Sequence, residues 1–140
     1  MWLFTQHGFF SVVRDPGTDD TLASEPSTPS GPPRFQVRAR HRAHIDGLRA
    51  AFPGVLSDAT VIAYDDPEHE AEYGGRDYEY RLFLTEEAWV ALAAELAADI
   101  GYSNFKGAVH ERSGDPSLAG TQYESNLYPV YNVMERSDRY

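Results

Sequence analysis

The clearest alternation of apolar and polar positions runs through Phe35-Gln36-Val37-Arg38-Ala39-Arg40-His41-Arg42. A strand there turns Phe35, Val37 and Ala39 inward and Gln36, Arg38, Arg40 and Arg42 outward, so one sheet face is locally basic. A second strand, Tyr78-Glu79-Tyr80-Arg81-Leu82-Phe83-Leu84, puts Tyr78, Tyr80, Leu82 and Leu84 on its apolar face and Glu79, Arg81 and Phe83 on the other. The period then lengthens to that of a helix. Trp89, Leu92, Leu96 and Ile100 form an apolar stripe, kept narrow by Ala93 and Ala97. Thr85 is the expected N-cap, with Glu86 and Glu87 at the positive end of the dipole. Gly101 is expected to leave the helix in a left-handed conformation, and Ser103 to cap a further helix carrying Phe105 and Val109.

Around this centre, Trp2 to Val13 reads as one bent strand or two, with Gly8 at the bend. Residues 15–34 are dense in Pro, Ser, Thr, Gly and Asp and read as a flexible insertion. Ile45, Leu48 and Phe52 recur at helical spacing before Pro53-Gly54, and residues 60–64 read as a buried strand, followed by an acidic stretch at 65–72. Pro129 suits the first turn of a short closing helix in which Val130, Val133 and Met134 dock. The order of elements predicts a single α+β domain over residues 1–140, with an antiparallel sheet of about four strands and helices on one face. Strand 9–14 hydrogen-bonded to 35–41 would make the order permuted ferredoxin-like.

The chain has 140 residues, 41% of them hydrophobic, enough for one core. With no cysteine there are no disulfides and no thiolate metal sites, which suits a reducing compartment and makes the cytoplasm the default. No run has the length of a membrane span and no signal peptide is expected, so the protein is expected to be soluble. The net charge of −10 argues against indiscriminate binding to nucleic acid, although it leaves room for a local basic patch.

Several segments together resemble a family of short bacterial proteins of unassigned function. They are Met1-Trp2-Leu3-Phe4-Thr5, Gly8-Phe9-Phe10-Ser11-Val12-Val13, Val37-Arg38-Ala39-Arg40, Asp77-Tyr78-Glu79-Tyr80-Arg81, Asp99-Ile100-Gly101-Tyr102-Ser103-Asn104-Phe105-Lys106 and Val130-Tyr131-Asn132-Val133-Met134. The chain departs from that pattern by its long 15–34 insertion and by extra residues around 113–127. The resemblance implies domain boundaries and offers no catalytic residues.

Candidate chemistry is sparse. The five histidines, His7, His41, His44, His69 and His110, lack zinc spacing, and the acidic stretch lacks that of an EF-hand, so neither metal nor cofactor is expected. Ser11 near His7 forms no nucleophile elbow. What remains is positive. Arg38, Arg40 and Arg81 share a polar face, and Asn104 with Lys106 sits at a helix start, where N–H groups favour an anion. The plainer readings are cross-strand pairing for the arginines and, at this helix start, capping with a buried Phe105. The leading expectation is a small non-catalytic binding or regulatory module that engages a protein partner or a phosphate-bearing ligand. The alternatives are an enzyme acting on nucleotides or phosphoesters, lacking a recognisable general base, and an acidic mimic of nucleic acid that acts as an inhibitor.

Deleting residues 18–31 should leave the urea midpoint nearly unchanged, because loop-closure entropy varies slowly with loop length. Loss of cooperative unfolding would show that the insertion packs against the domain.

Overall fold

The computed structural model describes residues 1–15, 34–63, 77–115, 118 and 121–137. The insertion centred on 16–33 and the acidic stretch at 65–72 lie outside the described residues. Strands β1 (Trp2–Thr5), β2 (Gly8–Asp15), β3 (Arg34–Ala39), β4 (Thr60–Ala63) and β5 (Tyr80–Thr85) form one antiparallel sheet in the order β1-β2-β3-β5-β4. The helices are α1 (Arg42–Ala51), α2 (Pro53–Leu56), α3 (Glu86–Ala98), α4 (Phe105–Glu111) and α5 (Tyr123–Ser137). The architecture is α+β. The sheet has one strand more than the four expected because the N-terminal aromatic stretch is two strands, with Thr5 opposite Gly8 across a turn at Gln6 and His7. The expected pairing of β2 with β3 is present, Ser11 lying opposite Arg38. Among the described residues no helix is long and apolar enough to cross a membrane.

Alternation along the strands decides the core. Phe10 and Val12 of β2, Val37 and Ala39 of β3, and Leu82 and Leu84 of β5 point to one face, where Ile45 and Leu48 of α1, Phe52, Leu56 of α2 and Leu92 of α3 meet them. Burial of each large apolar side chain contributes roughly 1.5–3 kcal/mol, so this layer supplies most of the driving force. Leu92 is the fully buried anchor of α3, while Trp89 is half-buried and stacks on Phe35 with ring centroids 5.9 Å apart. Thr85 caps α3 by accepting the Ala88 N–H at 3.2 Å.

Ile100 is not part of the stripe. The helix ends at Ala98 with Asp99 as C-cap, which leaves Ile100 61% exposed. Gly101 does not take the left-handed exit either: its N–H bonds the Asp99 carbonyl at 2.8 Å, and among the described glycines the positive φ, +137°, belongs to Gly8. Asn104, not Ser103, caps α4, its side-chain oxygen accepting the Lys106 N–H at 3.1 Å.

Helix α5 starts earlier than the proline signal suggested, with Thr121 Oγ1 accepting the Tyr123 N–H at 3.3 Å, and Pro129 lies inside it. Tyr123 and Leu127 carry its packing, joined by Val109 of α4 and Leu118 in a second small core beside Phe9. Val133 and Met134, expected to dock, are 65% and 59% exposed. The four-residue spacing of Tyr123, Leu127 and Tyr131 is the signal that marks the inner face, and the polar run Glu124-Ser125-Asn126 between them obscures it.

Gly8 is required by contact as well as by φ: a Cβ there would lie 2.5 Å from His44 Cγ. Gly8→Ala should therefore cost about 2–5 kcal/mol, combining left-handed strain with overpacking. Gly54, where a Cβ meets nothing within 4 Å, provides the control, since Gly54→Ala should be neutral or stabilising by about 0.4–1 kcal/mol. Urea midpoints report both. Equal midpoints for the two variants would show that the hairpin does not rest on His44.

Candidate functional site

The face of the sheet away from α1 and α3 carries Trp2 and Phe4 of β1, Phe9 and Ser11 of β2, Gln36 and Arg38 of β3, and Arg81 and Phe83 of β5. Arg38 and Arg81 lie directly opposite each other. Like charges so placed repel, and each guanidinium is therefore engaged elsewhere. Arg38 Nη2 donates to Ser11 Oγ at 2.8 Å, and its Cζ stands 4.9 Å from the Tyr78 ring centroid. Burial makes the Arg38 charge costly and lowers its pKa, against the opposing pull of Tyr78 and Asp77. Arg81 is only 6% exposed: Nη1 donates to Gln36 Oε1 at 2.8 Å and Nε to the Tyr78 carbonyl at 3.1 Å.

Arg40 differs from both. It lies one residue past β3 and more than half exposed, paired with Asp77 at 2.8 Å, with Cζ 5.2 Å from the Tyr78 centroid. Arg42 belongs to α1 rather than to the strand face, and pairs with Asp46 along the helix at 3.5 Å.

Tyr78 corrects the expected phase. Alternation assigns it to the apolar face with Leu82, yet β5 begins at Tyr80, and the chain before it is not held to the ladder. The Tyr78 ring lies instead with Phe9, 6.5 Å away, and beneath the arginines. Aromatic rings and guanidinium groups thus meet on one side of the sheet. Asn104 and Lys106 are elsewhere, at the start of α4, where Lys106 Nζ stands 4.1 Å from the Tyr131 ring centroid.

An open groove of about 470 Å³ lies where this face meets α5. Trp2, Phe4, Phe9 and Tyr78 form its aromatic wall, Arg40, His41 and His44 line the β3–α1 junction, and Thr121, Tyr123, Asn126, Leu127 and Val130 close the other side. Asn104 and Lys106 do not line it. Phe9 connects the aromatic wall, with centroids 4.9 Å from Phe4 and 6.1 Å from Trp2. Trp2 remains 69% exposed, a large apolar surface left open in a groove that Arg40 also lines.

At the floor of the groove His44 is 3% exposed, and neither ring nitrogen has a well-formed hydrogen bond. Burial drives its pKa down to about 4, with His41 adding in the same direction. The Phe9 backbone pulls the other way, from too loose a geometry to count as a bond. His44 is therefore a neutral ring at physiological pH, packed 5.4 Å from both His41 and Tyr123. The Tyr123 hydroxyl donates to the Thr5 carbonyl at 2.9 Å, and burial raises its pKa.

A second polar pair lies behind the hairpin. His7, 3% exposed, stands with Nε2 2.8 Å from Asp99 Oδ2, and the Gln6 amide bonds the same oxygen. Burial lowers the His7 pKa against the pull of Asp99. For Asp99 burial works upward, and the hydrogen bonds from Gln6 and His7, aided by the charge of Arg112, outweigh it, so the carboxyl is held below its ordinary range. The pair is a neutral imidazole donating to a carboxylate. Of the pair, Asp99 lines a groove between β1 and α3, and His7 does not. Among the described residues no three His, Cys, Asp or Glu side chains gather as a metal would require.

Comparison with protein-family models, with curated proteins and with solved structures finds no match. The chemistry of the site therefore rests on its geometry.

Both buried histidines make the fold acid-sensitive. A histidine whose folded pKa is depressed stabilises fully above its unfolded value of 6.5, and that stability is lost as the pH falls from there toward the folded value, about 4 for His44. The loss attributable to His44 should reach roughly 3 kcal/mol. Urea midpoints between pH 8 and pH 4 should drop for the wild type and flatten for His44→Leu, leaving the smaller contribution of His7. An identical slope in the variant would mean that His44 is not held neutral.

Proposed function

We propose that the protein is a non-catalytic binding module whose aromatic groove takes a phosphate-bearing ligand. The observation that carries this reading is Arg40, an exposed guanidinium over the Tyr78 ring at the lip of the groove, paired with a carboxylate that is itself 69% exposed. Such a surface pair contributes only about 0–1 kcal/mol, so a phosphate can displace Asp77 at little cost. Arginine offers a planar fork of donors to phosphate oxygens, and the ring beneath it limits the side-chain freedom lost on binding. His41 stands at the same rim, and the aromatic wall supports a flat apolar ligand portion. Arg38 and Arg81, committed to Ser11, Gln36 and Tyr78, support the wall from behind.

The strand order supports reading the sheet as permuted ferredoxin-like, with β2 taking the place of the last strand beside β3. The absence of cysteine supports a cytoplasmic location. The enzyme alternative gains nothing from His44, which is neutral and buried beneath the groove, or from His7, which lies outside it.

Thermal unfolding with AMP, GMP, UMP and pyrophosphate tests the reading, because a ligand bound only by the folded state raises the midpoint by mass action. At least one of these should raise it. Arg40→Ala should weaken that ligand by about 1.5–3 kcal/mol while leaving the ligand-free midpoint nearly unchanged. A panel without any shift, or a shift retained in full by Arg40→Ala, would remove the reading.

A further inference from the structure

The outer edge of β1 carries an arrangement that the aromatic groove does not use. The Met1 amine donates to the Val12 carbonyl at 2.7 Å, and the Val12 N–H donates to the Met1 carbonyl at 2.8 Å. Met1, Leu3 and Thr5 are therefore the residues whose backbone groups face β2. The N–H and C=O groups of Trp2 and Phe4 point the other way, off the strand that ends the sheet among the described residues. Such a row is a template for one more strand.

On the helix side of this edge a groove of about 320 Å³ runs between β1 and α3. Leu3, Trp89 and Leu96 line its apolar length, and Gln6, Asp99 and Tyr102 form its polar end. Both side-chain hydrogen bonds to the Asp99 carboxylate fall on Oδ2, from Gln6 and His7, and both donors are neutral. Neither bond cancels the charge of Asp99, and Arg112, which also influences it, is paired with Asp115 at 2.9 Å. An apolar groove that ends in an ionised, one-third exposed carboxylate is complementary to an apolar side chain followed by a basic one.

We propose that β1 is a docking edge for an extended segment of a partner protein, added antiparallel as a sixth strand. A lysine or arginine opposite Thr5 would reach Asp99, and an apolar side chain two residues later, opposite Leu3, would enter the groove. The residue between them exchanges backbone hydrogen bonds with Phe4. This goes beyond the anionic ligand of the aromatic groove and concerns the opposite face of the same strand. Charge selects the partner over a second copy of the chain. In a β1-to-β1 pairing Asp99 would meet Trp2-Leu3-Phe4-Thr5, which has no basic side chain, and two chains of net charge −10 would approach each other.

Fluorescence anisotropy of labelled acetyl-Thr-Lys-Thr-Val-Thr-amide against the full chain tests the proposal. Binding is expected, with a peptide carrying glutamate in place of lysine weaker by about tenfold or more, the usual consequence of losing a charge-assisted bond. N-methylation of the central threonine, which removes the donor facing Phe4, should abolish binding. Asp99→Asn, checked for folding by circular dichroism, should no longer distinguish the lysine and glutamate peptides. The peptide comparisons on the wild type hold even if that variant unfolds. The proposal is overturned if the N-methyl peptide binds as well as its parent, if the two charge forms bind alike, or if none binds at millimolar protein. Sedimentation showing that β1 is occupied by a second copy, which the peptide does not displace, would overturn it as well.

Discussion

The contact between the His44 ring and Gly8 is the constraint on which the rest of the molecule depends. One side chain in the first turn of α1 touches the β1–β2 hairpin through Gly8, the sheet through Phe10 at 6.1 Å, and the start of α5 through Tyr123 at 5.4 Å. Because burial keeps the imidazole uncharged, it packs as a flat apolar ring, and glycine alone gives it room. The groove inherits this geometry. Trp2, Phe4 and Phe9 come from the hairpin, Arg40 and His41 from the entry to α1, and Leu127 and Val130 from α5, three elements that meet around one ring.

Much of the fold was legible because periodicity and burial agree where a segment faces a single neighbour. Val37 and Ala39 alternate with Gln36 and Arg38 as a half-buried strand requires, and Thr85 with Glu86 and Glu87 signals the start of α3 by local chemistry alone. Reading failed at the ends of elements, where alternation or helical period was carried past the last hydrogen bond. Tyr78 precedes β5 and Ile100 follows α3, and both take positions set by the turning chain rather than by phase. Proline marks first turns and so points to Pro129 as the start of α5, whereas the inner face of the helix begins at Tyr123.

The candidate site was legible only in half. Alternation assigns Arg38, Arg40 and Arg81 a common face; Arg38 and Arg81 lie opposite each other in the ladder while Arg40 follows its end, and alternation says nothing of which arginine the interior consumes. That depends on Ser11 and Gln36 lying within reach across strands, a matter of register. Trp2, Phe4, Phe9 and His44, which build the groove, were read as strand residues or as scattered histidines because their convergence needs the hairpin, α1 and α5 together. The exposure of Trp2 was beyond any periodicity argument, since an edge strand has no neighbour to hide it.

In this acidic chain Arg38 and Arg81 project from one face of the sheet. Arg38 and Arg40 lie on the outer face and Asp99 beyond the inner one, so the edge strand β1 separates surroundings of opposite sign. Screening length in physiological salt is about 8 Å, comparable to the thickness of a strand with its side chains, and each face therefore presents its own charge to a ligand rather than the molecular average. Exposed ion pairs add little to stability, and the charge that matters most to the fold, Arg81, is buried. The division follows from desolvation: a charge taken into the interior must be satisfied there, and what it is bonded to fixes structure, whereas Arg40, left at the surface over an aromatic ring, is held by an exposed pair with Asp77 that adds little to stability.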